Sequence, residues 1–288
     1  MKIAVLLTCY NRIEKTLRCL NSLNETYSNS NRGHEIEVFL TDDGSTDGTY
    51  EIISSLSMSS FSIHVFKGSG SLYWNGGMNN SWREAIKYGK FDCYLWLNDD
   101  TIVLDEFWIS LDKISEKSGI LVGTTRSSVD AQLTYGGFNY VNNWTLKDQF
   151  VLPNGLNFQP CMCAHGNITL IFSDVVEKMG ILCDKYLHGG GDHDYVYLAY
   201  KAGFTILVMP YYVGICDNDH LGNANNFESM SFKERIAYLK SPFGLNLNNT
   251  LLFNFRCFPY RIPFVLIITY MKVLFPKFFY GMYRFLRR

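Results

Sequence analysis

The sequence predicts an α/β protein with a mixed, mostly parallel sheet flanked by helices and an amphipathic helical tail at the C-terminus. Three observations lead there. Short apolar runs alternate with helical patterns through the first 125 residues, which is the rhythm of successive βαβ units. Polar clusters follow three of those runs, at the rim where such sheets collect ligands. At 288 residues, 47% of them apolar and 16% aromatic, the chain is also long enough to bury a large core.

Residues 3–7 are the first apolar run, and a helical pattern over 13–23 sets Leu17, Leu20 and Leu23 on one face. Residues 36–40 are the second run, ending in Thr41-Asp42-Asp43-Gly44-Ser45-Thr46-Asp47-Gly48. Thr46 is placed to cap the helix that continues through Ile52, Ile53 and Leu56. A third run at 63–66, a helix over 79–88 and a fourth run at 93–97 lead to Asn98-Asp99-Asp100. A helix over 105–117 and an apolar run at 120–123 complete the alternation. Residues 126–190 are less regular, and 134–140 with 144–152 suit a hairpin or flap. A helix at 174–179 precedes His188-Gly189-Gly190-Gly191-Asp192-His193-Asp194, followed by a helix over 195–202 that stops at Gly203 and a strand at 205–208.

The net charge of −1 hides an asymmetry. All 27 acids lie in the first 234 residues with only 17 of the 26 basic residues, so this body carries −10 and the remainder +9. An acidic body with a basic, aromatic tail is a membrane-facing arrangement and offers nothing to nucleic acid. The uncharged run 262–271 is half of what a membrane span needs, so residues 235–288 are expected to lie in the interface. The competing reading is a terminal helix packed on the body or on a partner. Eight scattered cysteines show no zinc-ligand spacing, and the N-terminal apolar run is too short for a signal peptide. A reduced, cytoplasmic body is expected.

The acids carry the chemistry. Two adjacent carboxylates at a strand end repel each other unless a cation shares them, and a divalent metal carrying phosphates is the usual candidate. A nucleotide-sugar donor needs a partner for the base edge and a cation for the diphosphate. Its acceptor hydroxyl needs a positioned base. Acids after the second and fourth runs and before the helix at 195 supply one candidate for each need.

Thr8-Cys9-Tyr10-Asn11-Arg12, residues 41–49, Asn98-Asp99-Asp100 as a variant of the DxD motif, and Gly191-Asp192-His193-Asp194 together resemble glycosyltransferase family 2. The resemblance covers about residues 2–215. The stretch from Gly70 to Asn79 is most similar to the rhamnosyltransferase-like bacterial members. The resemblance implies the GT-A fold, a Rossmann-like nucleotide-diphospho-sugar transferase, over residues 1–234. Residues 1–125 would be its nucleotide-binding half and 126–234 its acceptor-binding half. It implies that Asp42 reads the base and that Thr8, Tyr10 and Arg12 frame the nucleotide. Independently of it, the two glycines of residues 74–79 are where the backbone near Trp74 and Gly76 can pass close to a ligand, or are ordinary turn punctuation. By the resemblance Asp100 would ligate Mg²⁺ or Mn²⁺, with Asn98 and Asp99 on ribose or on water in the metal shell. Asp192 aligns with the catalytic base. The family's usual Glu-Asp is Gly191-Asp192 here, which leaves Asp194 as a competitor. His220 either completes the metal shell or is a solvated loop histidine, and His188 and His193 are candidates for acceptor contacts.

Ordinary structural roles compete with several of these. Asp42 and Asp43 precede Gly44 as turn residues do, Asp192 is placed as a helix N-cap, and Asp194 is an acid favoured in a first helical turn. Asp47 is expected to stabilise the helix after it.

The activity implied is an inverting, metal-dependent sugar transfer from dTDP-rhamnose or a UDP-hexose to a saccharide, lipid-linked acceptor. It belongs to bacterial O-antigen or capsule assembly, on the inner face of the plasma membrane. Two alternatives stand beside it. A metal-dependent nucleotidyltransferase would show a Gly-rich, basic loop where this chain has Thr-Cys-Tyr-Asn-Arg. A non-catalytic nucleotide-sugar-binding scaffold is suggested by the missing Glu before Asp192. No GxGxxG opens the first helix, which disfavours a dinucleotide-dependent dehydrogenase.

Overall fold

A computed structural model describes residues 1–30, 33–218 and 227–286. The first part alternates as expected: β1 (Lys2–Cys9), α1 (Ile13–Ser30), β2 (Glu35–Asp42), α2 (Thr49–Ser55), β3 (Ser62–Lys67), α3 (Tyr73–Tyr88) and β4 (Cys93–Leu97). β1 is buried except at Lys2 and Thr8, and β4 throughout, because helices cover both faces of the sheet. Such strands read as unbroken apolar runs. β5 (Ile102–Val103), α4 (Asp105–Asp112) and β6 (Ile120–Arg126) follow, with α4 stopping short of the expected residue 117.

The irregular middle resolves into β7 (Leu133–Tyr135), β8 (Gly137–Asn142), β9 (Lys147–Phe150), β10 (Gln159–Pro160), β11 (Cys163–Ala164) and β12 (Ile168–Phe172). α5 (Ser173–Met179), α6 (Gly191–Lys201) and β13 (Ile206–Ile215) complete the body. The C-terminal part holds α7 (Phe232–Lys240), α8 (Leu247–Cys257), a short turn at Pro259–Arg261, α9 (Ile262–Leu274) and α10 (Pro276–Leu286).

The main sheet has ten strands in the order β10-β13-β6-β12-β4-β1-β2-β3, with β5 on β13 and β7 on β6. β4, β1, β2 and β3 are parallel, whereas β12 runs antiparallel between β4 and β6. The chain moves outward from β1 to β2 and β3, then crosses back to lay β4 on the other side of β1. This reversal leaves a crevice beyond the carboxyl ends of β1 and β4, where α/β sheets bind ligands. Because β12 is reversed, its entrance rather than its exit reaches that rim, and the Asn98 amide donates to the Asn167 carbonyl at 2.9 Å.

α1 and α4 bury Leu20, Leu23, Phe107 and Trp108 on one face of the sheet. α3 and α6 bury Met78, Trp82, Tyr195 and Val196 on the other. A small antiparallel sheet, β11-β8-β9, packs through Phe138 and Cys163 on Tyr197 of α6 and on Cys257 and Phe258.

Two local expectations change. α3 begins at Tyr73 rather than 79, so Gly76 and Gly77 are helical instead of marking a turn. Gly77 is small for a packing reason, since a Cβ there would lie 2.0 Å from Thr8 Oγ1. The cap of α2 is Gly48, in the left-handed region at φ 86, not Thr46. The Thr46 amide instead donates to Asn11 Oδ1 at 2.7 Å. Asp47 accepts from the amides of Thr49 (3.1 Å) and Ile13 (3.3 Å), tying the starts of α2 and α1 together.

Among the described residues no single helix is long and apolar enough to cross a membrane. Pro259–Leu274 and Pro276–Met282 meet at a bend of 116°. Phe264, Ile267, Tyr270 and Phe278 stay exposed along them.

Candidate active site

The crevice is a cleft of about 550 Å³. From the exit of β1 it is lined by Thr8, Tyr10 and Arg12, and from the exit of β4 by Asn98, Asp99 and Asp100. Trp74 at the start of α3 and Asp192 at the start of α6 close the other side.

Arg12 Nη1 stands 3.3 Å from Asp99 Oδ1 and 2.9 Å from Asp100 Oδ2, so one guanidinium bridges the acid pair. Asp99 is only 6% exposed, and its Oδ2 has no hydrogen-bond partner. Burial, and then the charge of Asp100, push its carboxyl up to about 7 in spite of Arg12. Cys216 Sγ donates to Asp100 Oδ1 at 3.4 Å. A buried carboxylate oxygen without a partner, beside a second carboxylate, is short of positive charge. Hard oxygen donors of this kind suit Mg²⁺ or Mn²⁺, so Asp99 and Asp100 fit the protein's share of such a site. Among the described residues no group of three His, Cys, Asp or Glu side chains is arranged around one ion. His220, the other expected ligand, lies outside the described residues.

Trp74 joins the acid pair to the far wall. Its Nε1 donates to Asn98 Oδ1 at 2.8 Å. Its outer ring edge fills the space before Gly166, where a Cβ would lie 2.8 Å from the indole. The Gly166 amide in turn donates to Asp192 Oδ2 at 3.0 Å. The N-cap of α6 is Gly190, so Asp192 is not the capping residue that the sequence also allowed. Burial alone would raise the Asp192 carboxyl. His193, His165 and the amides of His193 and Gly166 outweigh it and hold the group below the usual carboxylate value. His193 Nε2 is 4.0 Å from Asp192 Oδ2. His165 is pushed down to about 4 by burial and by His193, so it is neutral at pH 7. Its Nδ1 lies 3.1 Å from the Gly136 carbonyl, which only accepts. The proton therefore sits on Nδ1 and leaves Nε2 as an acceptor.

Three expected residues lie elsewhere. Asp194 is 1% exposed and does not line the cleft. It accepts from Arg256 Nε at 2.8 and 3.0 Å and from the Tyr186 hydroxyl at 3.0 Å, which fastens α8 to α6. Asp42 is buried and turned back on its own loop, accepting from the Ser45 amide at 3.1 Å, the Ser45 hydroxyl and the Cys9 thiol. Its neighbour Asp43 lines the cleft instead and accepts from the amides of Gly70, Leu72 and Tyr73 at 2.8–2.9 Å, fixing the start of α3. Gly76 faces Leu72, the residue that caps α3, and is also absent from the lining.

The sequence reading missed His165, Gly166 and Asn167 as cleft residues. Their signal is the mostly apolar, β-branched-rich segment at 168–172. Once that segment is a strand, the residues before it stand at its entrance.

No curated protein matches the chain. Among solved structures, S. aureus TarS 1-349 in complex with UDP-GlcNAc aligns with a TM-score of 0.57 at 14% identity, over 95% of this chain and 80% of that one. The mannosyltransferase PcManGT from Pyrobaculum calidifontis, in complex with GDP-Man and Mn²⁺, aligns with a TM-score of 0.55 at 12% identity, over 94% and 75%. At these identities the likeness shows the fold, which is GT-A. The family described as Glycosyl transferase family 2 matches residues 4–180, the span that contributes the loops after β1, β2 and β4. With that match over more than half its length, the chain belongs to glycosyltransferase family 2.

Proposed function

We propose that this glycosyltransferase inverts the anomeric centre of a sugar that it moves from a nucleoside diphosphate, dTDP-rhamnose or a UDP-hexose, to a saccharide on a lipid carrier. The observation that carries the reading is that Asp192 shares one cleft with Arg12, Asp99 and Asp100. A single displacement needs a base on the acceptor side and positive charge at the leaving group. Asp192, held below the usual carboxylate value, is ionised at neutral pH and takes the proton of the acceptor hydroxyl. That oxygen attacks the anomeric carbon opposite the diphosphate, the bond to the diphosphate oxygen breaks, and the configuration inverts. Arg12 meets the charge that develops on the leaving group. Asp99 and Asp100 would hold Mg²⁺ or Mn²⁺, which when bound neutralises the diphosphate further. The UDP-GlcNAc and the GDP-Man with Mn²⁺ in the two fold neighbours support a nucleotide-sugar donor and a metal.

The basic tail and its exposed apolar side chains support attachment to the cytoplasmic face of the plasma membrane. O-antigen or capsule assembly in bacteria is the process that fits, since its lipid-linked saccharides are displayed there.

The test is release of nucleoside diphosphate from a panel of dTDP-rhamnose, UDP-galactose, UDP-glucose and their N-acetyl forms, with Mn²⁺ and saccharide acceptors. One donor is expected to turn over, and Asp192→Asn to cut the rate by at least about a hundredfold. Full activity in that variant, or no donor consumed, overturns the reading.

A further inference from the structure

The cleft is bordered by three aromatic rings that no step of the transfer uses. Tyr73 opens α3, His188 stands on the glycine loop before Asp192, and Phe243 comes from the linker between α7 and α8. The Phe243 ring centroid lies 4.9 Å from that of His188 and 5.7 Å from that of Tyr73, and His188 lies 6.3 Å from Tyr73, all edge-to-face. All three line the cleft, and Phe243 is 62% exposed. Leaving a phenyl ring that open forgoes burial, yet the segment behind it is pinned to the body. Asn249 Nδ2 donates to the Gly189 carbonyl at 2.9 Å, and Arg256 grips Asp194.

We propose that Tyr73, His188 and Phe243 form the platform on which the acceptor's sugar ring lies. This rests on the reading of Asp192 as the base. His188 and Gly189 share the loop of Asp192, and Trp74, next to Tyr73, packs against Gly166, whose amide holds that carboxylate. The platform thus borders the proton acceptor, while the nucleotide end of the cleft is at Thr8 and Tyr10. A pyranose has a face of C–H bonds and a rim of hydroxyls. Its C–H face is drawn to the electron-rich faces of aromatic rings, and its rim reaches polar groups such as the His188 imidazole. A nucleobase is the rival occupant.

Saturation-transfer NMR on the full chain tests this. The probes are UDP and dTDP, then the methyl glycosides of glucose, galactose, rhamnose and N-acetylglucosamine with nucleotide present. At least one glycoside is expected to bind, about tenfold more weakly in Phe243→Ala and undiminished in Phe243→Trp. Both variants should bind nucleotide within about twofold of the parent. Glycoside binding that survives Phe243→Ala, nucleotide binding that is lost instead, or nucleotide bound with no glycoside bound each overturns the platform. Failure of both nucleotides to bind the parent chain would bring down the donor reading, and the platform with it.

Discussion

The Trp74 indole N–H donates to the Asn98 side-chain oxygen at 2.8 Å, and the same ring rests against Gly166 behind Asp192. One rigid side chain therefore sets the spacing between the loop of the acid pair and the wall that holds Asp192. Trp74→Phe keeps most of the packing and removes the donor. It is expected to cost about 1 kcal/mol of stability and to slow transfer about tenfold or more. Turnover equal to the parent, measured beside a melting curve, would show that the indole only fills space.

Gly77 has no room to grow. A Cβ there would stand 2.0 Å from Thr8 Oγ1 and 2.7 Å from Thr8 Cβ, so Gly77→Ala must push α3 away from β1. The expected loss is on the order of 2–3 kcal/mol, or about 5 °C in Tm, with weaker nucleotide binding because Thr8 lines the cleft. An unchanged melting temperature would contradict this.

The Asp194–Arg256 pair is asymmetric, with the acid 1% and the arginine 36% exposed at the side chain. Arg256→Ala strands a buried carboxylate, and solvent near the arginine keeps the penalty to about 2 kcal/mol. Arg256→Ala combined with Asp194→Asn should recover part of that loss, since no charge is left unpaired. Chemical denaturation of the single and double variants separates the two outcomes.

His165 makes stability depend on pH. Folded, its pKa is about 4, while the unfolded value is about 6.5. Between those values the unfolded chain binds a proton that the folded chain does not, so stability falls as the pH drops from about 6.5 towards 4. The full difference is about 3 kcal/mol. Asp99 works in the opposite sense, because a carboxyl raised to about 7 contributes stability that is lost as the pH climbs through that value. The difference between the parent and His165→Gln isolates the histidine and should shrink steadily from pH 7 to pH 4.5. A constant difference would refute the assignment.

The parallel half of the sheet is legible in the sequence because β1 and β4 are almost wholly buried, β2 is mostly so, and turn residues bound each strand. β12 is not. Ile168–Phe172 is a five-residue strand with four apolar side chains and Thr169, all buried, and nothing local says that it enters the sheet reversed. With that strand goes the placement of His165 and Gly166. The acids at the exits of β2 and β4 are equally conspicuous, yet which of Asp42 and Asp43 faces the cleft depends on one residue of turn geometry. The side chain of Asp42 folds back on Ser45, and the next residue takes the lining position. α3 starts early because Asp43 gathers three amides at its head, a contact between segments about thirty residues apart. Phe243 has no local signature, since its position follows from how the later helices pack.

The ties between Asn249 and Gly189 and between Arg256 and Asp194 bear on how the protein can be handled. Trimming the basic end to ease purification would remove ring and counter-ion alike from beside the glycine loop that leads to Asp192. A shortened form would be a different catalyst, and its failure to work would say nothing about whether lipid is required.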